Sequence, residues 1–377
     1  MTAAATDRRR TEPPVVSTGG TVDYQITQDD RARFKRCRRQ WDFASPRRRG
    51  LEPVGVVDPT LPAALKDALA IYYYPGTWDW PRELRQSLVH KAVERSLDNA
   101  DAGDMLQTAM AVLDTYDAWA TTLDDFAPVQ IQHDVHGLVP DPRDPESGLT
   151  TPAGLPVIYS CRIDLLAVDA ADEYWVVRHQ IVDEWQHVQA MMRDEGAVAG
   201  CWAWEREYVG MEISGTIHNE VLITGPLEPP SPDRAATGAS KRVPQSEASG
   251  GGRAIPQHRR MSARTSRTAG TSRVEQRTAG LLRRTRIRRS RAEIGAVGTL
   301  IGAEAIDMSS EPAIYPTFAP HCQACEFSVP CQALVEGTDP EPGLGADFRR
   351  RPTGETPEPR LGQSTWGFGR GAAPPRW

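Results

Sequence analysis

"CRIDLLAVDAADEYWVVRHQIV", residues Cys161–Val182, holds two apolar runs separated by "DAAD". Runs of this length, rich in branched and aromatic residues and broken by a short acidic turn, predict two antiparallel strands joined as a hairpin. Asp164 interrupts the first run. A carboxylate placed in an apolar strand is costly unless something holds it. It is therefore either paired with a neighbouring arginine or kept for chemistry. Successive side chains on a strand alternate faces, so residues two apart point the same way.

Working outward, "PVQIQHDVHGLV" before the hairpin alternates like a strand, and "EISGTIHNEVLI" after it does the same. A helix over about 187–209 separates that strand from the hairpin. Upstream lie four helical patterns. Thr27 or Gln28 opens the first, placing Phe34, Cys37 and Trp41 on one face; "LPAALKDALAIYYY" is the second, and two more cover about 81–98 and 103–122. Helical patterns therefore precede, separate and follow strand-like runs, an α/β (α+β) mixture. Residues 1–20 read as a disordered arm and 21–225 as the core. Residues 226–280, rich in Ser, Gly, Thr, Arg and Pro, read as a basic linker or insertion. Residues 281–337 complete the core with a helix carrying Ile287, Ile294, Val297, Ile301, Ala305 and Met308. Residues 338–377 read as a disordered tail.

The net charge of −6 argues against a protein that coats DNA. It conceals a basic stretch, since residues 226–292 carry 16 Lys and Arg against 4 Asp and Glu. Within it Arg283, Arg284, Arg286, Arg288 and Arg289 form a candidate phosphate-tracking strip, or else the solvated face of a helix or loop. Trp78, Trp80, Trp202 and Trp204 could stack on bases, but core packing is the plainer reading. No run is long and apolar enough for a membrane span. The N-terminus has no apolar signal region, so a cytoplasmic, thiol-reducing setting is expected.

"PHCQACEFSVPC", Pro320–Cys331, places Cys322, Cys325 and Cys331 in C-x2-C-x5-C spacing. Three sulfurs so close point to a metal site, and a closed thiolate site needs a fourth donor. The candidates are Cys37, Cys161, Cys201 and His321. Cys161 sits in a strand and Cys201 in a Trp-rich helix, both ordinary places for a buried cysteine. Cys37 lies among Arg36, Arg38 and Arg39, where positive charge favours the thiolate.

"FKRCRRQWDF" resembles the N-terminal signature of RecB-like nucleases, and the late cysteine cluster resembles the remaining ligands of that group's iron–sulfur branch. This branch includes CRISPR-associated RecB-like exonucleases, phage relatives and AddB-type nuclease domains. The resemblance covers Tyr24–Gly225 and Leu281–Gly337. It implies a PD-(D/E)XK restriction-endonuclease-like core, with a mixed central sheet flanked by helices. It also implies a [4Fe–4S] cluster on Cys37, Cys322, Cys325 and Cys331, a four-cysteine clasp joining the N- and C-terminal segments. Zinc is the alternative metal.

The resemblance also implies Mg²⁺- or Mn²⁺-dependent hydrolysis of DNA, exonuclease-type, with Asp164 as the first acid and metal ligand. Here the chain departs from the pattern. Arg178 and Gln180 occupy the positions of the second acid and the lysine of D-x-K. The preceding helix has Lys66-Asp67 and no metal-binding His, and the helix after the hairpin has no Q-x-x-x-Y. Asp183, Glu184, Glu195 and Glu220 are candidates for a displaced acid, and Arg178 could pair with Asp164. Two rivals to an active nuclease follow. One is a catalytically inactive relative that binds single-stranded or end-bearing DNA, or a partner nuclease in a recombination, repair or phage replication complex. The other is a zinc-stapled interaction protein with no nucleic-acid role.

Overall fold

A computed structural model describes residues 23–55, 60–97, 103–224, 273–310 and 312–351. The expected arm at 1–20, most of the 226–280 linker and the tail beyond 351 lie outside them. Along the chain run β1 (Tyr24–Thr27), α1 (Gln28–Arg36), α2 (Arg38–Ala44), β2 (Leu51–Pro53) and α3 (Leu61–Tyr72). Then come α4 (Arg82–Ser96), α5 (Gly103–Leu123), β3 (Phe126–Leu138), β4 (Pro140–Asp141) and β5 (Asp144–Gly148). The central part comprises β6 (Val157–Asp169), β7 (Tyr174–Val182), α6 (Val188–Met192), α7 (Glu195–Glu207) and β8 (Ile213–Leu222). The remainder is β9 (Val274–Ala279), β10 (Leu282–Arg288), α8 (Arg291–Ser309), α9 (Ser328–Val335), α10 (Glu341–Asp347) and β11 (Phe348–Arg350).

The strands form a mixed sheet in the order β1-β6-β7-β8-β10-β9, with β3 also paired to β6. The expected hairpin is β6 and β7, antiparallel in the register Leu165↔Val177 and Val168↔Tyr174. Its turn is built by Asp169, whose Oδ1 accepts the Ala171 and Glu173 amides, and by Asp172 at φ +59°. Asp tolerates that left-handed backbone better than most residues. From β7 the chain crosses through α7 to β8, which lies parallel to β7, and β10 then pairs antiparallel to β8.

Two compact units contain these elements. In the larger, which includes 60–135 and 162–297, one sheet face offers Leu165, Ala167, Trp175, Val177, Ile217 and Leu282. These pack on α3, α4 and α5 through Leu65, Leu69, Val89, Val93, Leu113 and Trp119. On the opposite face α7 comes close: a Cβ on Gly200 would stand 3.8 Å from the Val176 side chain. In the other unit, which includes 23–55, 136–161 and 298–351, β1 runs parallel to β6. There Phe43, Phe327, Leu344 and Phe348 form a small core, with Phe327 stacked on Phe348. Among the described residues no helix is long and apolar enough to cross a membrane.

Four expectations change. The helix from Thr27 begins as anticipated, with a reciprocal Thr27–Asp30 capping box, but it stops at Cys37, which is extended at φ −160° and ψ 112°. A new helix starts at Arg38. The Arg39 amide bonds Tyr315 O at 3.1 Å, so a tertiary contact occupies the site of the break. The helix over 187–209 is also two. Asp194 separates them and caps α7 by accepting the Ala197 amide at 3.1 Å.

The basic stretch is the third change. Residues Val274–Ala279, assigned to the linker, are β9, and Ile287 lies on β10 rather than on α8. Gly280 makes the β9–β10 turn at φ +56°, where an added Cβ would stand 2.1 Å from the Trp119 ring. Lastly, the tail assigned to 338–377 includes an ordered stretch, α10 and β11, with β11 paired to β2.

A row of polar side chains crosses the otherwise apolar face against α3 and α5. His179 lies beside Asn219 on β8, and Asn219 beside Arg284 on β10. Arg284 is 4% exposed; it pairs with Asp124 and donates to Tyr73 Oη and Asn219 Oδ1, each at 3.2 Å. Burial raises the Asp124 carboxyl above its usual range even with Arg284 pulling it down. Replacing Arg284 by Leu strands this carboxyl in the core and should cost about 3–5 kcal/mol. Adding Asp124→Asn should recover part of that loss. Urea unfolding of both variants measures it.

Candidate functional site

Cys37, Cys322, Cys325 and Cys331 line one pocket of about 630 Å³. All four belong to the unit that carries both chain segments of the expected clasp. Cys37 arrives at the break between α1 and α2. Cys322 and Cys325 come from the 3-10 turn Pro320–Ala324 and its cap, and Cys331 from α9. Thr317 links the two segments: its amide points at Cys37 Sγ at 3.5 Å, and its carbonyl accepts from Cys322 Sγ at 3.7 Å. Gln40 reinforces the junction by donating to Glu326 at 3.1 Å.

Electrostatics at the pocket oppose a bare set of thiolates. Burial pushes the Cys325 and Cys331 thiols up, and neighbouring Cys37 and Cys322 push in the same direction. The Phe327 amide opposes this at Cys325, as does Arg39 at Cys331. Among the described residues no three His, Cys, Asp or Glu side chains are grouped tightly enough to grip a single ion. The sulfurs therefore ring the pocket without meeting at a point. His321 also lines it; Cys161 and Cys201 are buried elsewhere, Cys201 donating to Ala197 O at 3.3 Å.

The hairpin site differs from the expected D-x-K arrangement. Asp164 Oδ2 accepts the His179 amide at 2.9 Å, and Oδ1 has no partner among the described residues. Arg178 turns away to Asp194, with Nη1 and Oδ2 2.6 Å apart, so it does not fill the space at Asp164. Gln180 donates to Gln186 at 3.3 Å, while its own Oε1 is buried and unpartnered.

Of the candidate displaced acids, Asp183 and Glu184 are exposed and Glu195 lies in the first turn of α7. Glu220 is fully buried. Both its oxygens meet Arg283, at 2.6 and 2.8 Å, and Oε1 also accepts the Gln186 amide at 2.9 Å. That set of bonds satisfies Glu220 as a structural anion.

The five arginines of the basic strip are on or just after β10, and each has an internal acceptor. Arg283 holds Glu220 and Arg284 holds Asp124. Arg286 reaches Asp125 at 2.8 Å, and Arg288 grips Glu173 through two bonds of 2.8 and 2.6 Å. Arg289 donates to the Met192 and Met191 carbonyls. Arg283, Arg284 and Arg289 are buried, so the five do not form an open strip. Trp202 and Trp204 are buried and Trp78 packs against the core, whereas Trp80 is about half exposed, at 48%.

The buried histidines were not marked by any motif. His179 stacks on Tyr73 with ring centroids 5.2 Å apart, and its Nδ1 lies 2.9 Å from Asn219 Nδ2. His218 Nε2 lies 3.4 Å from Thr216 Oγ1, and its Nδ1 is 4.0 Å from Asp194. The sequence carries no clear signal for their burial, since His179 lies between Arg178 and Gln180 and His218 is followed by Asn219 and Glu220.

No family model matches the chain, and no curated protein does. Among solved structures, one titled as the crystal structure of SSO0001 aligns over 71% of this chain and 84% of its own. It shares 11% identity at a TM-score of 0.29, too distant a likeness to carry an argument.

Burial pushes both imidazoles down to about 4, against the pull of Asp164 on His179 and of Asp194 on His218. The unfolded chain then takes up protons that the native state refuses. Stability is complete above the ordinary histidine pKa of about 6.5 and is lost as pH falls toward 4, by on the order of 3 kcal/mol per imidazole. Urea midpoints measured from pH 7.5 to 4.5 should fall along that range. His218→Gln should flatten the slope.

Proposed function

We propose that this chain is a RecB-like protein of PD-(D/E)XK fold whose Cys37, Cys322, Cys325 and Cys331 hold a [4Fe–4S] cluster. Its role is that of a module engaging single-stranded or end-bearing DNA, or a partner nuclease, with an incomplete hydrolytic centre. The observation that carries this reading is the convergence of four cysteines, from segments some 285 residues apart, on one pocket of about 630 Å³. The β3-β6-β7 meander, followed by α7 and the parallel strand β8, supports the fold assignment.

The donor set fits the cluster. Four thiols of a reducing compartment supply the anionic ligands, and backbone amides at Cys37 and Cys325 supply the hydrogen bonds that thiolate sulfur accepts. Zinc draws four sulfurs to about 2.3 Å from one point. The four cysteines of this pocket could hold either group, and the resemblance favours the cluster. When bound, the cluster would supply a cross-link between the first helices and the last loop, together with one-electron chemistry.

The residues at the hairpin do not fit a catalytic Mg²⁺ site. Glu220 is neutralised by Arg283 and Asp194 by Arg178, and Gln180 lacks the charge of a lysine. No hydrolytic step is therefore derived. A second reading, hydrolysis with Mg²⁺ or Mn²⁺ on Asp164, draws on the free Asp164 Oδ1 and on an acid supplied from elsewhere.

Anaerobic purification should yield a brown protein with broad visible absorbance and about four irons per chain. Cys37→Ala should lose most of that iron, and zinc in place of iron would favour the interaction-protein rival. With labelled single strands, salt-sensitive binding without cleavage is expected. Cleavage that requires Mn²⁺ and is abolished by Asp164→Ala would replace the module reading with the hydrolytic one.

A further inference from the structure

Two nitrogens at the cysteine-lined pocket are left without acceptors. Arg39 Nε, and His321 Nε2 in the tautomer that protonates it, are shielded from solvent and have no hydrogen-bond partner among the described residues. Both side chains line the pocket together with the four cysteines. A buried donor left unmade is costly, so two at one site call for an acceptor.

Two nearby polar groups are engaged with their own neighbours. Gln40 is engaged with Glu326, and Glu336 accepts from Gln332 at 2.7 Å. The four cysteine sulfurs stand on the same pocket wall. Arg39 is held in place from its backbone, in the first turn of α2 and two residues after Cys37, by its bond to Tyr315 O. His321 directly precedes Cys322 in the 3-10 turn. Each donor is thus tied by the main chain to a proposed ligand, one from each chain segment.

Hydrogen bonds to the sulfurs of an iron–sulfur cluster withdraw electron density and favour the more negative, reduced state. A guanidinium does so more strongly than a neutral imidazole because its bond is charge-assisted. Resting on the cluster reading above, we propose that Arg39 and His321 donate N–H···S hydrogen bonds to the cluster and set its one-electron reduction potential, with Arg39 contributing the larger share. Neither residue is a ligand; both are positioning and tuning groups.

Potentiometric titration of the anaerobically purified full chain, followed by visible absorbance, tests this. Iron content is measured first, so a wild type without a cluster overturns the cluster reading before any potential is compared. In Arg39→Gln the potential should become more negative. The expected size is at least a tenfold change in the oxidised-to-reduced ratio at fixed poise, which is about 59 mV for one electron. Arg39→Lys, which keeps the charge, should recover part of the shift, and His321→Ala should shift the potential in the same direction by less. Equal potentials in iron-loaded wild type and Arg39→Gln would overturn the proposal. So would an Arg39→Gln protein that is folded by circular dichroism yet lacks iron, because Arg39 would then serve assembly and not tuning.

Discussion

Arg284 and Asp124 face each other inside the larger unit, and the β10 strand depends on that pair. A guanidinium on a central strand is tolerated only if its charge and its donors are met. Here Asp124 meets the charge, while Tyr73 and Asn219 accept from the remaining nitrogens. Asn219 and Tyr73 in turn meet His179, one through its amide and the other through its ring. A network of this kind gains rigidity when every member is satisfied and becomes costly when one is removed. It also fixes register: a slip of one residue on β10 would carry Arg284 to the opposite face and bring Arg283 to Asp124.

The same alternation organises the rest of β10. Arg283 and Thr285 face one side with Glu220 and His218 as cross-strand neighbours, while Arg284 and Arg286 face the other. Both sides are covered, so a run that is mostly arginine becomes an interior strand. Arginine suits this use because its planar fork can bridge both oxygens of a carboxylate, as Arg283 does on Glu220 and Arg288 on Glu173. The basic stretch therefore neutralises the acids of its own fold. A phosphate backbone would have to compete with those acids.

The two candidate sites differ in what has been kept. At the pocket, the four cysteines, the bridging Thr317 backbone and two unspent donors converge. At the hairpin, Asp164 keeps one oxygen without a partner among the described residues, and Arg178 and Arg283 are paired with Asp194 and Glu220. The cysteines of the pocket face a common space, whereas Glu220 and Asp194 near the hairpin are each held by an arginine.

The hairpin around "DAAD", the two strands flanking it and the helices before it were legible in the sequence, because period-2 and period-3.6 patterns are local properties of the chain. That Cys37 and the C-x2-C-x5-C cysteines belong together was an expectation from the sequence, and the structure places all four on one pocket. Three things were decided only by tertiary structure. Cys37 breaks its helix where the Tyr315–Thr317 segment docks, a contact more than 270 residues distant in sequence. The arginine run became a strand because its carboxylate partners, from Asp124 to Glu220, come from other elements. Arg178 chose Asp194 over Asp164 because α7 begins beside β7. In each case a charge or a backbone break has no fixed meaning until its partner is in place, and the partner is supplied by the fold.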